Sequence, residues 1–340
     1  MPSYQPPFSI SETVLALVAD ISELLGHYTA QQKNGLSPQV RRGNRIRTIH
    51  ASLAIEHNTL TIEQVTALLE GKRVMGTPSE IQEVRNAIKA YETLSGLNPA
   101  NLDDLLRTHG LLMLGLSDEA GRWRSVGVGI YRDDQLIHMP PSATQVPRLM
   151  RDLFTWLVQS NSHPLIKSCM FHYEFEFIHP FIDGNGRMGR FWQTLILASW
   201  REQLAYLPVE TIIKDQQAQY YQALRKSDNS SDSTPFVEYM LAAIKLGLQE
   251  AIESEQVNDQ VSDQVNDYVS DQVEPLIQTM RKSPNQAYAV PAVMNTLGLN
   301  HRGNFRKNYL LPALDAGLIE MTNPDSPKSP KQKYRLCLNG

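Results

Sequence analysis

The chain of 340 residues is 41% hydrophobic and 20% charged, with a formal net charge of −4. Two or three globular domains with a sizeable core fit that length and composition, and a disordered or fibrous chain does not. No apolar run approaches the roughly 18 residues of a membrane span, residues 1–10 lack the basic and apolar regions of a secretory signal, and two distant cysteines, Cys169 and Cys337, suggest neither a disulfide framework nor a zinc cluster, so the expected setting is reducing and cytoplasmic.

In chain order, residues 11–25 place Val14, Leu15, Val18, Ile21, Leu24 and Leu25 three and four apart, which predicts an amphipathic helix. A second helix is predicted over 45–55 from Ile46, Ile49, Leu53 and Ile55. Thr61 with Gln64 three residues on is a capping-box pattern that opens a helix over 61–69, and Gly71 and Gly76 punctuate its end. Pro78 suits the start of a long amphipathic helix over 81–94. Residues 121–139 change character: Gly121, Gly127 and Gly129 interleave with Trp123, Val126, Val128, Ile130 and Tyr131, and Asp133-Asp134 precede a short apolar run, the pattern of an extended hairpin. Helices resume over 145–158, 166–178 and 186–200.

Residues 250–274 repeat valine every fourth position, at Val257, Val261, Val265, Val269 and Val273, among eight acidic residues and no basic one. The valines could form one slanted helical stripe or lie in a disordered tether, and the segment is read as a linker in either case. Beyond it, a short helix over 291–297, a turn, a helix over 304–316 and two strands flanking a Pro- and Lys-rich loop give the plan of a winged helix-turn-helix. From 275 to 340 there are nine Lys/Arg against three Asp/Glu, so a basic tail sits on an acidic body. That asymmetry is a cue for an electrostatic partner such as nucleic acid, or simply a solvated surface.

The run His179-Pro180-Phe181-Ile182-Asp183-Gly184-Asn185-Gly186-Arg187-Met188-Gly189-Arg190 carries the chemistry. Pro180 disfavours helix at His179, a loop follows, and a new helix starts near Gly186. The N–H groups of Gly184, Asn185 and Gly186 then point out of a helix N-terminus, where anions bind. Arg187 and Arg190 share one side of the first turn and can pair with phosphate oxygens. Asp183 is a hard oxygen ligand suited to Mg²⁺, and His179 can act as a general base near neutral pH. Base, metal ligand, anion cradle and cations within twelve residues describe a phosphoryl or nucleotidyl transfer site. Gly184, Gly186 and Gly189 also spell a dinucleotide-binding pattern, but the preceding segment has His172, Glu174 and Glu176 where a buried first strand would be apolar.

These twelve residues resemble the Fic motif, HPFx(D/E)GN(G/K)RxxR, at every defined position. The resemblance implies that His179 deprotonates a target hydroxyl, which attacks the α-phosphate of ATP. It implies further that Asp183 holds Mg²⁺, that Gly184, Asn185 and Gly186 cradle the phosphates, and that Arg187 and Arg190 contact the β- and γ-phosphates. The family fold is a helical core with a β-hairpin flap, and the 121–139 segment occupies the flap's place. Residues 52–58, Ser-Leu-Ala-Ile-Glu-His-Asn, resemble the family's inhibitory motif, (S/T)xxxE(G/N), with His57 where Gly or Asn is usual. That likeness implies that Glu56, supported by Ser52, pairs with Arg190 and denies it to the γ-phosphate.

The expected protein is mainly α: an N-terminal helical region with the inhibitory motif (1–95), a Fic catalytic core with its flap (96–249), the acidic linker (250–274) and a small α+β winged helix-turn-helix (275–340). Its expected function is transfer of AMP from Mg-ATP to a Ser, Thr or Tyr hydroxyl of a target protein or of itself. Arg302, Arg306 and Lys307 near the second helix of the C-terminal module, with Lys328, Lys331, Lys333 and Arg335 at its wing, suit DNA backbone contact. Protein docking or a homodimer suits the same module. The alternative is a winged-helix DNA-binding regulator whose Fic core senses nucleotide.

Overall fold

The computed structural model describes residues 4–31, 36, 38–132, 135–281, 286–299, 301–315, 318–323, 329 and 332–336; the side chains at 31, 38–39, 131–132, 135–136, 254–272, 274 and 315 are not described. The chain divides into two compact units, Met1–Ile252 and Glu253–Gly340.

The first unit is built from α1 (Glu12–Gln31), α2 (Pro38–Ile55), α3 (Ile62–Leu69), α4 (Pro78–Glu92), α5 (Leu102–Leu112), a hairpin of β1 (Ile130–Arg132) and β2 (Gln135–His138), α6 (Val146–Gln159), α7 (Pro164–Ile178), α8 (Asn185–Trp200), α9 (Val209–Asp215), α10 (Gln217–Ser230) and the first part of α11 (Thr234–Arg281). Local chemistry sets several starts. Thr61 and Gln64 form the expected capping box on α3, and Thr77 and Glu80 form another on α4, with Pro78 in its first turn. Each such cap is worth about 1 kcal/mol.

At the centre, α7 packs along α8. Phe171 and Phe175 of α7, Phe191 and Trp192 of α8, and Phe181 between them are all fully buried. The alternation of Phe171, Tyr173, Phe175 and Phe177 suggests a strand by its period, but α7 is a helix buried on nearly every side, its His172 and Glu174 included. Helices α5, α9, α10 and the first part of α11 are additions to the sequence expectation. Paired strands span only 130–132 and 135–138 of the 121–139 segment. Residues 4–11 strap this unit: Ser233 donates its N–H to the Pro7 carbonyl at 2.9 Å, Ser11 Oγ donates to Glu238 at 2.5 Å, and the Tyr4 hydroxyl donates to Glu174.

The second unit has its own core of Leu276, Ile277, Met280, Val293, Phe305, Leu310 and Ile319. Its elements are β3 (Tyr288–Ala289), α12 (Val290–Thr296), α13 (Arg302–Phe305), a π turn (Arg306–Leu310), α14 (Leu311–Asp315), β4 (Ile319–Met321) and β5 (Lys333–Leu336). The sheet is antiparallel in the order β3-β5-β4, with Tyr334 opposite both Tyr288 and Met321. Arg302, Arg306, Lys307, Lys333 and Arg335 are exposed, and Arg335 pairs with Glu320 at 2.5 Å. Lys328 and Lys331 lie outside the described residues. The backbone of 250–274 is helical, as part of α11; of its five repeated valines, the side chain of Val273 alone is described, and it is buried. The protein is mainly α with small antiparallel sheets, as expected.

Candidate active site

The site is assembled where α7 gives way to α8. Pro180 bars helical geometry at the residue before it, and His179 turns into the left-handed region, φ 49° and ψ 61°, at a cost of order 1 kcal/mol. Asn185 braces the loop that follows: its side chain accepts from the Phe181 N–H and donates to the Phe181 carbonyl, both at 2.9 Å. Gly184, at φ +80°, caps α8. A Cβ there would lie 2.6 Å from Met113 Sδ, so both conformation and space call for glycine.

The N-terminal turn of α8 opens on a cavity of about 510 Å³ lined by Glu56, Glu176, His179, Gly186, Arg190 and Tyr220, among others. Free amides at a helix start favour an anion. The Glu56 carboxylate lies beside that turn. Its Oε1 accepts from Arg190 at 2.8 Å, and a Cβ added to Gly186 would fall 2.3 Å from the same oxygen. Ser52 completes the grip, its hydroxyl accepting from Arg190 Nε at 3.0 Å and its carbonyl from Nη2 at 2.9 Å. Burial works against the charge on Arg190, but Glu56, Tyr220 and Glu176 together outweigh it and raise the guanidinium pKa. Arg187 is held by acids as well, Glu83 of α4 at 3.4 Å and Asp183 at 3.2 Å. Asn58 in turn donates to Glu83 at 2.7 Å.

Burial lowers the His179 pKa to about 4, which leaves the ring a neutral base at pH 7. The Glu176 carbonyl interacts with the ring, yet no acceptor among the described residues meets the buried Nδ1 at hydrogen-bond geometry. Glu176 is half-buried, and burial raises its pKa to about 7. Asp183 has a 61% exposed side chain. Its Oδ1 accepts from Gly184 N–H at 2.6 Å and from Arg187, and among the described residues no donor meets Oδ2. No group of three His, Cys, Asp or Glu capable of holding a metal occurs among the described residues. A cation beside Asp183 would therefore draw most of its ligands from phosphate and water, the habit of Mg²⁺, so the residues fit that ion.

Four further residues converge on the site without any motif to announce them. Arg124, 2% exposed, donates to the carbonyls of His179 at 2.8 Å, Val126 at 3.0 Å, Ile178 at 3.3 Å and Pro141. It ties both legs of the hairpin to the end of α7, whose negative helix dipole offsets the buried charge. His138, at the end of β2, contacts Asp228 of α10 at 3.1 Å and the Phe177 carbonyl at 2.9 Å. His109 lies beneath the motif loop, and Glu83 faces it from α4. The only advance sign of these was a histidine at 109 in register with Leu105 and Leu112 on one helical face.

The profile of the Fic/DOC family matches residues 99–197, and that of the filamentation-induced-by-cAMP protein Fic-like C-terminal domain matches 271–337. A Fic family protein from Desulfovibrio desulfuricans G20 of known crystal structure is 53% identical, with 99% of each chain covered and a TM-score of 0.75. The protein adenylyltransferase fic-1 of Caenorhabditis elegans is 30% identical over 258 residues, 72% of this chain and 48% of that one. The protein adenylyltransferase Fic of Drosophila grimshawi is 33% identical over 204 residues, 56% of this chain and 40% of that one. The chain spans about half the length of the curated relatives it matches or less.

Proposed function

This chain belongs to the Fic family, and on that footing we propose that it is a protein adenylyltransferase, moving AMP from ATP to a hydroxyl side chain of a target protein or of itself, restrained by Glu56. The observation that carries the reading is the meeting of a neutral, half-buried base, His179, with the Gly184-capped start of α8 and Arg190 around one cavity. His179 takes the hydroxyl proton at Nε2 as the oxygen bonds to the α-phosphorus. The bond from that phosphorus to the bridging oxygen breaks, and pyrophosphate leaves with the electron pair. Asp183 would hold Mg²⁺, which supplies charge neutralisation on the phosphate oxygens. The amides of Gly184 to Gly186 and the guanidinium groups of Arg187 and Arg190 orient the phosphates.

Restraint by Glu56 rests on competition for one place. A carboxylate that occupies Arg190 and the space over Gly186 excludes a phosphate from both. The test is transfer of label from α-labelled ATP with Mg²⁺ by wild type, Glu56→Gly and Glu56→Gly/His179→Ala, with and without cell lysate. Protein-bound label should rise at least about tenfold in Glu56→Gly, equivalent to about 1.4 kcal/mol of barrier, and vanish in the double variant. Failure of Glu56→Gly to transfer label while binding Mg-ATP would overturn the adenylyltransferase reading.

For the second unit, the exposed Arg302, Arg306 and Lys307, which have no ion-pair partner among the described residues, support contact with a DNA backbone. Fluorescence anisotropy with duplex DNA should give binding that weakens steeply with salt and is lost in Arg302→Glu/Arg306→Glu. Binding unchanged in that variant would leave the helix out of any such contact.

A further inference from the structure

His109 stands on α5, buried to 2% exposure, with its ring flat against Phe181 at 3.5 Å between centroids and 3° between planes. Trp123 also stacks on Phe181, at 5.1 Å. The two nitrogens of the imidazole have different duties. Nδ1 accepts the Gly121 N–H at 2.9 Å, and Nε2 lies 3.0 Å from the carbonyl oxygen of Asp183. A backbone amide can only donate and a carbonyl can only accept, so one tautomer alone satisfies both, the neutral ring with its proton on Nε2. One helical turn on, Met113 fills the space under Gly184. The floor of the motif loop is thus a pair of side chains four residues apart, His109 on α5 and Met113 at its C-cap.

Building on the nucleotide-transfer reading of this site, we propose that His109 is a positioning residue that sets cation affinity. By holding the Asp183 carbonyl from below, it fixes the peptide that joins Asp183 to Gly184, and with it the direction of the Asp183 carboxylate beside the start of α8. His109 touches neither nucleotide nor metal and acts through the loop. Groups that orient a metal ligand from behind typically change metal affinity by about 10- to 100-fold when removed.

The test uses the full chain in the Glu56→Gly background, with His109→Gln, His109→Asn and His109→Ala, and reads calorimetric ATP affinity in Mg²⁺ and in EDTA. Glutamine keeps an N–H where Nε2 stood; asparagine can replace only the acceptor toward Gly121; alanine replaces neither. All three lose the stack on Phe181, so melting temperature should fall in all three and reports the structural cost alone. The Mg²⁺-dependent gain in ATP affinity should survive largely in His109→Gln and drop by about tenfold in His109→Asn and His109→Ala, with affinity in EDTA little changed. An undiminished gain in all three, or losses in Gln and Asn alike that track melting temperature, would overturn the role of His109 while leaving the site reading intact. Absence of any Mg²⁺-dependent gain in the Glu56→Gly parent would overturn the site reading, and this proposal with it.

Discussion

Both motif arginines are occupied by carboxylates from the N-terminal helices, and the two contacts differ in kind. Arg190 is almost wholly enclosed and pairs with Glu56 at 2.8 Å. Arg187 meets Glu83 at 3.4 Å, a longer and weaker contact, and its buried Nε has no partner among the described residues. On the proposed reading, Glu83 would compete with phosphate for Arg187, as Glu56 would for Arg190. With Glu56 already replaced by glycine, adding Glu83→Gln should tighten Mg-ATP binding roughly threefold or more, equivalent to about 0.7 kcal/mol; weaker binding in calorimetry would mean that Glu83 instead holds Arg187 in its productive pose. The state of His179 gives a separate outcome at this scale. Because burial lowers its pKa to about 4, the base form is complete at neutral pH and is lost only as pH falls toward that value. In Glu56→Gly, kcat/KM for label transfer should stay flat from neutral pH down to roughly pH 5.5 and bend near 4. An acid limb near 6.5, the ordinary histidine value, would show a solvated ring.

At the scale of elements, the hairpin is pinned by a histidine in the opposite state from His109. His138 faces a carboxylate and a carbonyl, both acceptors, so its two nitrogens both carry protons when both bonds form. Burial disfavours that charge, but Asp228 and the Phe177 carbonyl outweigh it, and the pKa is raised. A raised value contributes stability that is fully present below the ordinary histidine pKa and is lost as pH rises through the raised one. Amide exchange at Ile130 and Ile137, corrected for intrinsic rate, should accelerate across that rise, and Asp228→Asn should remove the dependence. No change with pH would mean the hairpin is held without this pair. The short paired region also marks how far the sequence could be read. Apolar spacing, the Thr61 box and Pro78 announced helices closely, since each is local chemistry. The motif announced its own loop. Residues 121–129 read as strand because glycines alternate with apolar side chains, whereas they are held as coil by Arg124, which binds the Val126 carbonyl of the same segment and three carbonyls from two distant ones. Nothing in the local pattern tells a buried arginine of that kind from a surface one, and the same holds for Glu83, which looks like one more exposed acid on an amphipathic helix.

At the scale of the molecule, every contact invoked for chemistry and restraint lies in the first unit, Met1–Ile252, which has its own hydrophobic core. Buried residues from Val14 to Leu94 share that core with those of α7 and α8, so α2 with Ser52, the turn after it with Glu56, and α4 with Glu83 are part of the same packed body as the motif. The last buried side chain of α11 in this core is Ala251, and the second unit closes on separate apolar residues from Val273 to Ile319. A chain ended after Ile252 should therefore fold cooperatively, and its Glu56→Gly form should transfer label at a rate close to that of the full-length variant. It should also keep the wild-type restraint, since Ser52, Glu56 and Arg190 remain together. Truncation removes the basic segment with its nine Lys/Arg against three Asp/Glu, so any salt-sensitive retention of DNA should disappear while transfer persists. A truncated protein that folds, judged by melting, yet has lost either transfer or its restraint would show that the second unit contributes to catalysis or to control.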